Sequence, residues 1–173
     1  NPAEYTHVCN GFEIRGGRKV KCNKKHDTVT LEKSIALSCN SVMMDLANQL
    51  TASLFSKYLN VFNIGKKTGI DLPVESLGYR GTSTLPGHLL DFSIGQYDTY
   101  TPIQLSQYIN TLANGGTRYQ PYLLKEVYEP SDDGSQLGKK IYESKKIELG
   151  KVSVEEKYID RVQYGFSQVI ASG

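Results

Sequence analysis

"ALSCNSV", residues 36–42, joins two stretches of helical periodicity. Before it, Leu31 and Ile35 share one face, and Thr30 is placed to cap a helix that starts at Leu31, with Lys33 rather than glutamate at the capping-box position. After it, Val42, Met43, Leu46, Ala47 and Leu50 recur at helical spacing. Ser38 and Asn40 are both residue types that end or begin helices by bonding local backbone groups, so the plain reading is a break with polar caps. Within one continuous helix, positions i and i+2 diverge. Only a break near residues 37–40 lets the Ser38 hydroxyl and the Asn40 carboxamide face one cleft, with Cys39 turned into the core.

Working outward, residues 5–24 read as a β-hairpin or structured loop. A further helix is expected over about 51–63, with Leu54, Phe55, Tyr58, Leu59 and Phe62 on its apolar side and Gly65 as a left-handed stop. Residues 65–100 are punctuated by glycine and proline and show little periodicity, as in long functional or tightly packed loops. Thr101-Pro102 starts another helix, with threonine as cap and proline at the first helical position, and "ANGG" ends it. "PYLLKEVYE" reads as a strand and "KKIYES" as its partner across a turn-rich connection. A last helix runs from Val154, with Val154, Tyr158, Val162, Phe166, Val169 and Ile170 on one stripe and Ser153 with Glu156 as a capping box. Helices, a hairpin and a final helix in this order give an α+β class: a helical lobe beside a sheet that the chain begins.

The 173 residues suffice for one domain with a core, and the net charge of +2 gives no argument for nucleic acid or an anionic membrane surface. No apolar run approaches the ~18 residues of a membrane helix. Both ends of the sequence read as cut, so the chain is expected to be part of something longer. Cys9 and Cys22 flank a glycine- and lysine-rich segment, and a bridge between them would close a short loop in an oxidising compartment. A zinc site using Cys9, Cys22 and His26 is the rival; it lacks the short C-x₂₋₄-C knuckle of structural zinc sites. Free thiols are the third possibility. The disulfide is the expectation, with no metal and no cofactor. His7, His26 and His88 read as isolated, Asp71 and Glu75 as structural carboxylates, and Lys139, Lys140, Lys145 and Lys146 as a solvated strand edge.

Several stretches, in order, resemble the transpeptidase domain of penicillin-binding proteins. "ALSCNSVMMDLANQL" (36–50) is similar to the family's S-x-N segment. "GIDLPVE" (69–75) is similar to its "TGIDLPGE" landmark, with Val74 for the common glycine. "SIGQYDTYTPIQLSQYINTLANGG" (93–116) resembles its "SIGQG…TPLQLAxAYAxIANGG" block, with Tyr97 where glycine is frequent, and favours the monofunctional class B type. "QPYLLKEV" falls where the family has "P.LVK.V".

The resemblance implies the penicillin-binding-protein/serine β-lactamase-like fold, mostly its helical lobe (1–120) with S-x-N, then a hairpin and helix (121–173) leading to the K-T-G strand. It implies a D,D-transpeptidase that cross-links D-Ala-D-Ala stem peptides of peptidoglycan through a serine acyl-enzyme and is acylated by β-lactams. Ser38 would relay a proton, and Asn40 would bind substrate backbone and steady the catalytic lysine. The S-x-x-K serine is expected before residue 1 and the K-T-G strand after Gly173. Lys67-Thr68-Gly69 is expected to be a solvated turn, and Gly95 and Gln96 to shape the loop before the Thr101 helix. The parent is expected outside the bacterial cytoplasmic membrane, anchored by an N-terminal helix and working with a membrane glycan polymerase. A β-lactam sensor, a serine β-lactamase and an inactive cell-wall scaffold carry the same motifs.

Overall fold

The computed structural model describes residues 3–15, 17–81 and 86–171. The chain opens with strands β1 (Thr6–Cys9), β2 (Phe12–Arg15), β3 (Arg18–Lys21) and β4 (Asp27–Thr30). β2 and β3 form an antiparallel hairpin inside an outer antiparallel pair, β1–β4, in which Thr6 faces Thr30 and Cys9 faces Asp27. The expected hairpin over 5–24 is thus two nested pairs, closed by Cys22 N–H donating to Gly11 O and His26 N–H to Cys9 O. Helices α1 (Leu31–Ala36), α2 (Asn40–Asn48) and α3 (Ala52–Val61) follow, then α4 (Pro86–Ser93) and α5 (Pro102–Ala113). Strands β5 (Thr117–Tyr119), β6 (Glu126–Pro130), β7 (Leu137–Glu143) and β8 (Glu148–Lys151) precede the final helix, α6 (Glu156–Ala171). β5 pairs with β8 and β6 with β7, both antiparallel.

The caps follow side-chain chemistry. Thr30 Oγ1 accepts from Lys33 N–H at 3.3 Å, and Thr51 Oγ1 from Leu54 N–H at 3.1 Å. Thr101 and Gln104 form a reciprocal capping box with Pro102 inside the first turn. The third helix ends earlier than expected, at Val61, and its left-handed residue is Asn63 (φ +60°) before Gly65 (φ +75°). Asparagine tolerates this region better than most side chains. α6 begins at Glu156, so Ser153 lies short of the cap position. Its inward residues are Ile159 and Gly165, whereas Tyr158, Phe166, Val169 and Ile170 are exposed. Gly165 lets α6 approach α1: a Cβ there would lie 2.9 Å from Ile35 Cδ1 and 3.2 Å from Glu32 O. Arg161 Nε pairs with the Glu32 carboxylate beside this contact at 2.9 Å.

The segment between α3 and α5 contains a helix, α4, that lacks a long apolar repeat; Leu89 and Leu90 bury against Met44 and Ala47 of α2. Asp91, buried on α4, pairs with Arg18 and ties the β2–β3 hairpin to this helix. The rest is held by buried glutamines of α5. Gln104 Nε2 donates to Lys66 O (2.8 Å) and Leu77 O (3.3 Å), and Gln107 Nε2 to Thr68 O (3.2 Å) and Tyr119 O (3.0 Å). Irregular backbone carbonyls are thereby satisfied by one helix. Tyr97 keeps a left-handed backbone, φ +68°, although it carries a side chain; its ring packs beside His88 (5.5 Å) and edge-on to Phe92 (6.4 Å).

Lys67-Thr68-Gly69 forms a turn, but not a solvated one: Thr68 is buried. Glu75 accepts from Thr68 N–H (2.7 Å) and Gly69 N–H (3.2 Å), and Asp71 from Leu123 N–H (2.7 Å) and Leu124 N–H (2.9 Å). The second pair explains why β6 starts only at Glu126. The amides that would continue the ladder upstream are taken by a carboxylate.

Burial alone would raise the Glu75 pKa; the Thr68 and Gly69 hydrogen bonds and the Lys67 charge outweigh it and hold it below its ordinary 4.5. A depressed folded-state pKa contributes stability at pH above the unfolded value, lost as pH falls through the folded value. Glu75→Gln should therefore lower stability by on the order of 1 kcal/mol at neutral pH and flatten the acid limb below about pH 4.5. Melts of both proteins across pH 3–7 check this, and parallel acid limbs would refute it.

Candidate active site

The expected break is present. α1 stops at Ala36, with Leu37 at its C-cap, and α2 starts at Asn40, with Cys39 at its N-cap. Cys39 N–H donates to Ser34 O (2.9 Å) and Ser38 N–H to Ile35 O (3.1 Å), the paired bonds of a Schellman ending. In that motif the residue after the cap is left-handed and is usually glycine, because a Cβ there crowds the backbone. Here the position is Ser38, with φ +50°. A serine where sterics favour glycine is strain held at a polar, exposed position, the kind of outlier that clusters at functional sites.

Ser38 is exposed, Cys39 fully buried and Asn40 half-buried. Ser38 and Asn40 both line one cleft of about 420 Å³, whose walls include Ile35, Met43, Ile94 and Tyr108. Asn40 Nδ2 donates to Lys21 O at the end of β3 at 3.1 Å, which fixes the amide plane against the strand. The Ser38 hydroxyl has no protein partner among the described residues, so both its donor and acceptor capacities are available to a ligand. A larger cavity of about 500 Å³, lined by Phe55, Leu59, Arg80 and Phe92, shares no residue with this motif.

Two groups that the sequence leaves isolated are not so. His7 Nε2 lies 2.7 Å from Ser41 Oγ and 3.0 Å from Glu13 Oε1, and Ser41 also donates to Glu13. Asp45 joins through His7 Nδ1 at 3.9 Å and accepts from Tyr5 Oη at 2.8 Å. This is not a nucleophile–base–carboxylate relay: one ring nitrogen meets both the hydroxyl and the carboxylate, and Ser41 is buried. The network pins the first turn of α2 to β1 and β2. Nothing in the sequence spacing signals it, since its members meet only through the nested strand pairs.

The second group is His26, which lies beside the cysteines. The expected Cys9–Cys22 bridge is not formed: all three cysteines are free thiols. Cys22 Sγ lies 3.9 Å from Cys39 Sγ and 3.6 Å from His26 Nδ1, and with Cys9 the four ligand atoms fall within 4.8 Å of one another. The hairpin-closing pair therefore belongs to a larger cluster on the core side of the S-x-N turn. Burial pushes the Cys39 thiol up to about 12 and lowers the His26 pKa, with Lys24 and Lys33 adding to the latter. No helix among the described residues is long and apolar enough to cross a membrane.

The family model for the penicillin binding protein transpeptidase domain matches residues 2–173, and the chain belongs to this family. It is 50% identical over 119 residues to penicillin-binding protein 2A of Bacillus subtilis, covering 69% of this chain and 16% of that protein. It is 32% identical over 114 residues to the peptidoglycan D,D-transpeptidase MrdA of Acinetobacter baumannii, 60% of this chain and 17% of that one. The chain thus spans about one sixth of the length of these relatives. Its fold matches penicillin-binding protein 2B of Streptococcus pneumoniae with a TM-score of 0.79 and 26% identity, over 98% of this chain and 31% of the other. The α+β architecture is accordingly part of the transpeptidase fold.

Proposed function

We propose that this chain is the S-x-N-bearing part of a class B peptidoglycan D,D-transpeptidase that is acylated by β-lactams. The observation that carries the proposal is the left-handed Ser38 at a Schellman helix ending, its hydroxyl sharing one cleft with Asn40. In this reading a nucleophilic serine, activated by the lysine of an upstream S-x-x-K, attacks the terminal D-Ala-D-Ala carbonyl of a stem peptide. The lysine takes the proton the nucleophile releases, and Ser38 passes a proton from the lysine to the departing amine, then reverses the path for the incoming amine. A hydroxyl can do both because it donates and accepts at once. Asn40, held by Lys21 O through one amide hydrogen, keeps a second N–H and its Oδ1 for the substrate backbone and the lysine.

Residues 1–120 form mainly the helical lobe and 121–173 lead to the K-T-G strand. Substrate selection by stem peptides, membrane anchoring, an extracytoplasmic location and cooperation with a glycan polymerase belong to the same proposal. Labelling the full-length protein with a fluorescent penicillin should give one covalent adduct per chain, stable over minutes. Absence of an adduct, or rapid turnover of a chromogenic cephalosporin, would overturn the transpeptidase reading, the latter in favour of a β-lactamase.

A further inference from the structure

Six of the chain's 20 lysines and arginines fall within residues 14–25, with no acidic residue among them, although the whole chain carries a net charge of only +2. Strand alternation sorts this charge. Val20 packs inward against the cluster of Met44, Ala47, Leu89 and Leu90, and Arg18, on the same face, pairs with Asp91. Lys19 and Lys21 take the outer face, about 7 Å apart along β3, where they pair across the hairpin with Ile14 and Phe12. Lys19 Nζ lies over the Phe12 ring, 4.0 Å from its centroid, and Ile14 is exposed. Lys24 is exposed in the connection that follows, and Lys25 is neutralised by Asp27 at 2.9 Å. Among the described residues no carboxylate pairs with Lys19, Lys21 or Lys24.

This basic segment is fastened to the S-x-N motif on both sides. Lys21 O accepts from Asn40 Nδ2 at 3.1 Å, and Asn23 Nδ2 donates to Leu37 O at 3.3 Å, one residue before Ser38. The three lysines therefore stand at the rim of the cleft that Ser38 and Asn40 line, without lining it themselves. We propose that Lys19, Lys21 and Lys24 form a landing surface for the peptidoglycan strand, holding the carboxylates of stem peptides next to the one in the cleft. The proposal rests on the transpeptidase reading and names how that site would collect its substrate. A strand whose stem peptides end in D-Ala-D-Ala carries a free carboxylate at each of them, so it is a polyanion complementary to this rim. Ammonium groups on flexible stems suit anions at irregular spacing, which the rigid fork of arginine does not. Charge of one sign beside a cleft also raises the local concentration and the on-rate of an oppositely charged ligand.

An anionic membrane surface would match the same charge, but the segment adjoins the cleft through both Leu37 and Asn40, and a membrane seated there would shut the strand out. The lysines of the β6–β7 region are different. Lys140 is held by Glu126 and Glu143, and Lys146 lies over the Tyr119 ring. Lys139 and Lys145, exposed in that region, serve as a control of equal charge.

The test uses the full-length protein after complete acylation with penicillin, which closes the cleft and leaves the rim. Fluorescently labelled, uncross-linked peptidoglycan strands should still bind, as read by anisotropy, and the affinity should fall about tenfold as ionic strength rises from about 0.05 to 0.3 M. Strands whose carboxylates have been amidated should not bind. Lys19→Gln with Lys24→Gln should weaken strand binding about tenfold while the penicillin acylation rate holds. Lys19→Arg with Lys24→Arg should keep most of the affinity, and Lys139→Gln with Lys145→Gln should bind as wild type. Equal losses in the two glutamine pairs, or undiminished binding of amidated strands, would overturn the landing surface. So would unchanged strand binding in Lys19→Gln with Lys24→Gln, and a loss there of affinity for phosphatidylglycerol vesicles alone would assign the patch to a membrane. Failure of penicillin to acylate the wild-type protein is a separate result that overturns the transpeptidase reading, and strand binding by the unacylated protein then reads the rim by itself.

Discussion

Ser38→Gly in the full-length protein should be more stable than wild type and nearly inactive. The stability gain comes from the backbone: Ser38 occupies the left-handed position of a Schellman ending at φ +50°, where a side chain costs about 1 kcal/mol relative to glycine. The activity loss comes from the hydroxyl, the proton-transfer group of the proposed mechanism, and should reach about 10²-fold or more in penicillin acylation and transpeptidation. Ser38→Ala separates the two effects. It removes the hydroxyl but keeps the Cβ and its strain, so it should match glycine in lost activity without the gain in melting temperature. Acylation rates read beside thermal melts of the three proteins check this. Wild-type acylation in either variant would return Ser38 to a helix terminator. An unchanged melt for glycine would remove the strain argument.

What the sequence made legible divides by the range of the interactions involved. Thr30 and Thr101 announce helix starts because a cap acts within three residues, and both accept the expected N–H. The interruption at 37–40 was legible for the same reason. The left-handed Ser38 was not, since serine carries no signal for positive φ. α4 was missed because its buried face is short, and its burial against α2 is a tertiary fact. The strand expected from Pro121 begins five residues later, because Asp71, distant in sequence, claims the Leu123 and Leu124 amides. The cysteine reading failed by range as well. Cys9 and Cys22 look like a hairpin pair until Cys39 arrives from the helical part of the chain, and no local spacing contains that third sulfur.

The irregular segment before α5 should be the most sensitive to a single methyl group, at Gly78. Tyr79 and Thr99 form a two-way bridge there, Tyr79 N–H donating to Thr99 O at 2.9 Å and Thr99 N–H to Tyr79 O at 2.8 Å. Gly78 turns into this bridge at φ +68°, and a Cβ would lie 2.9 Å from the Thr99 carbonyl carbon and 3.2 Å from Tyr100 Cα, inside contact with the carbonyl oxygen. Every one of these obstructing atoms is backbone, so no side chain can rotate away. Gly78→Ala must either break the bridge or shift residues 99–101, which deliver Thr101 to the capping box of α5. The left-handed penalty and the overpacking together amount to about 3 kcal/mol, or a fall of roughly 5–10 °C in the melting transition of a domain this size. Gly134→Ala is the control. Gly134 has nearly the same φ, +69°, but nothing within 4 Å of its Cβ position, so it should cost only the conformational part, about 1 kcal/mol. The difference between the two melts isolates the Thr99 contact. Equal shifts would mean that the bridge yields freely and does not hold α5 in place.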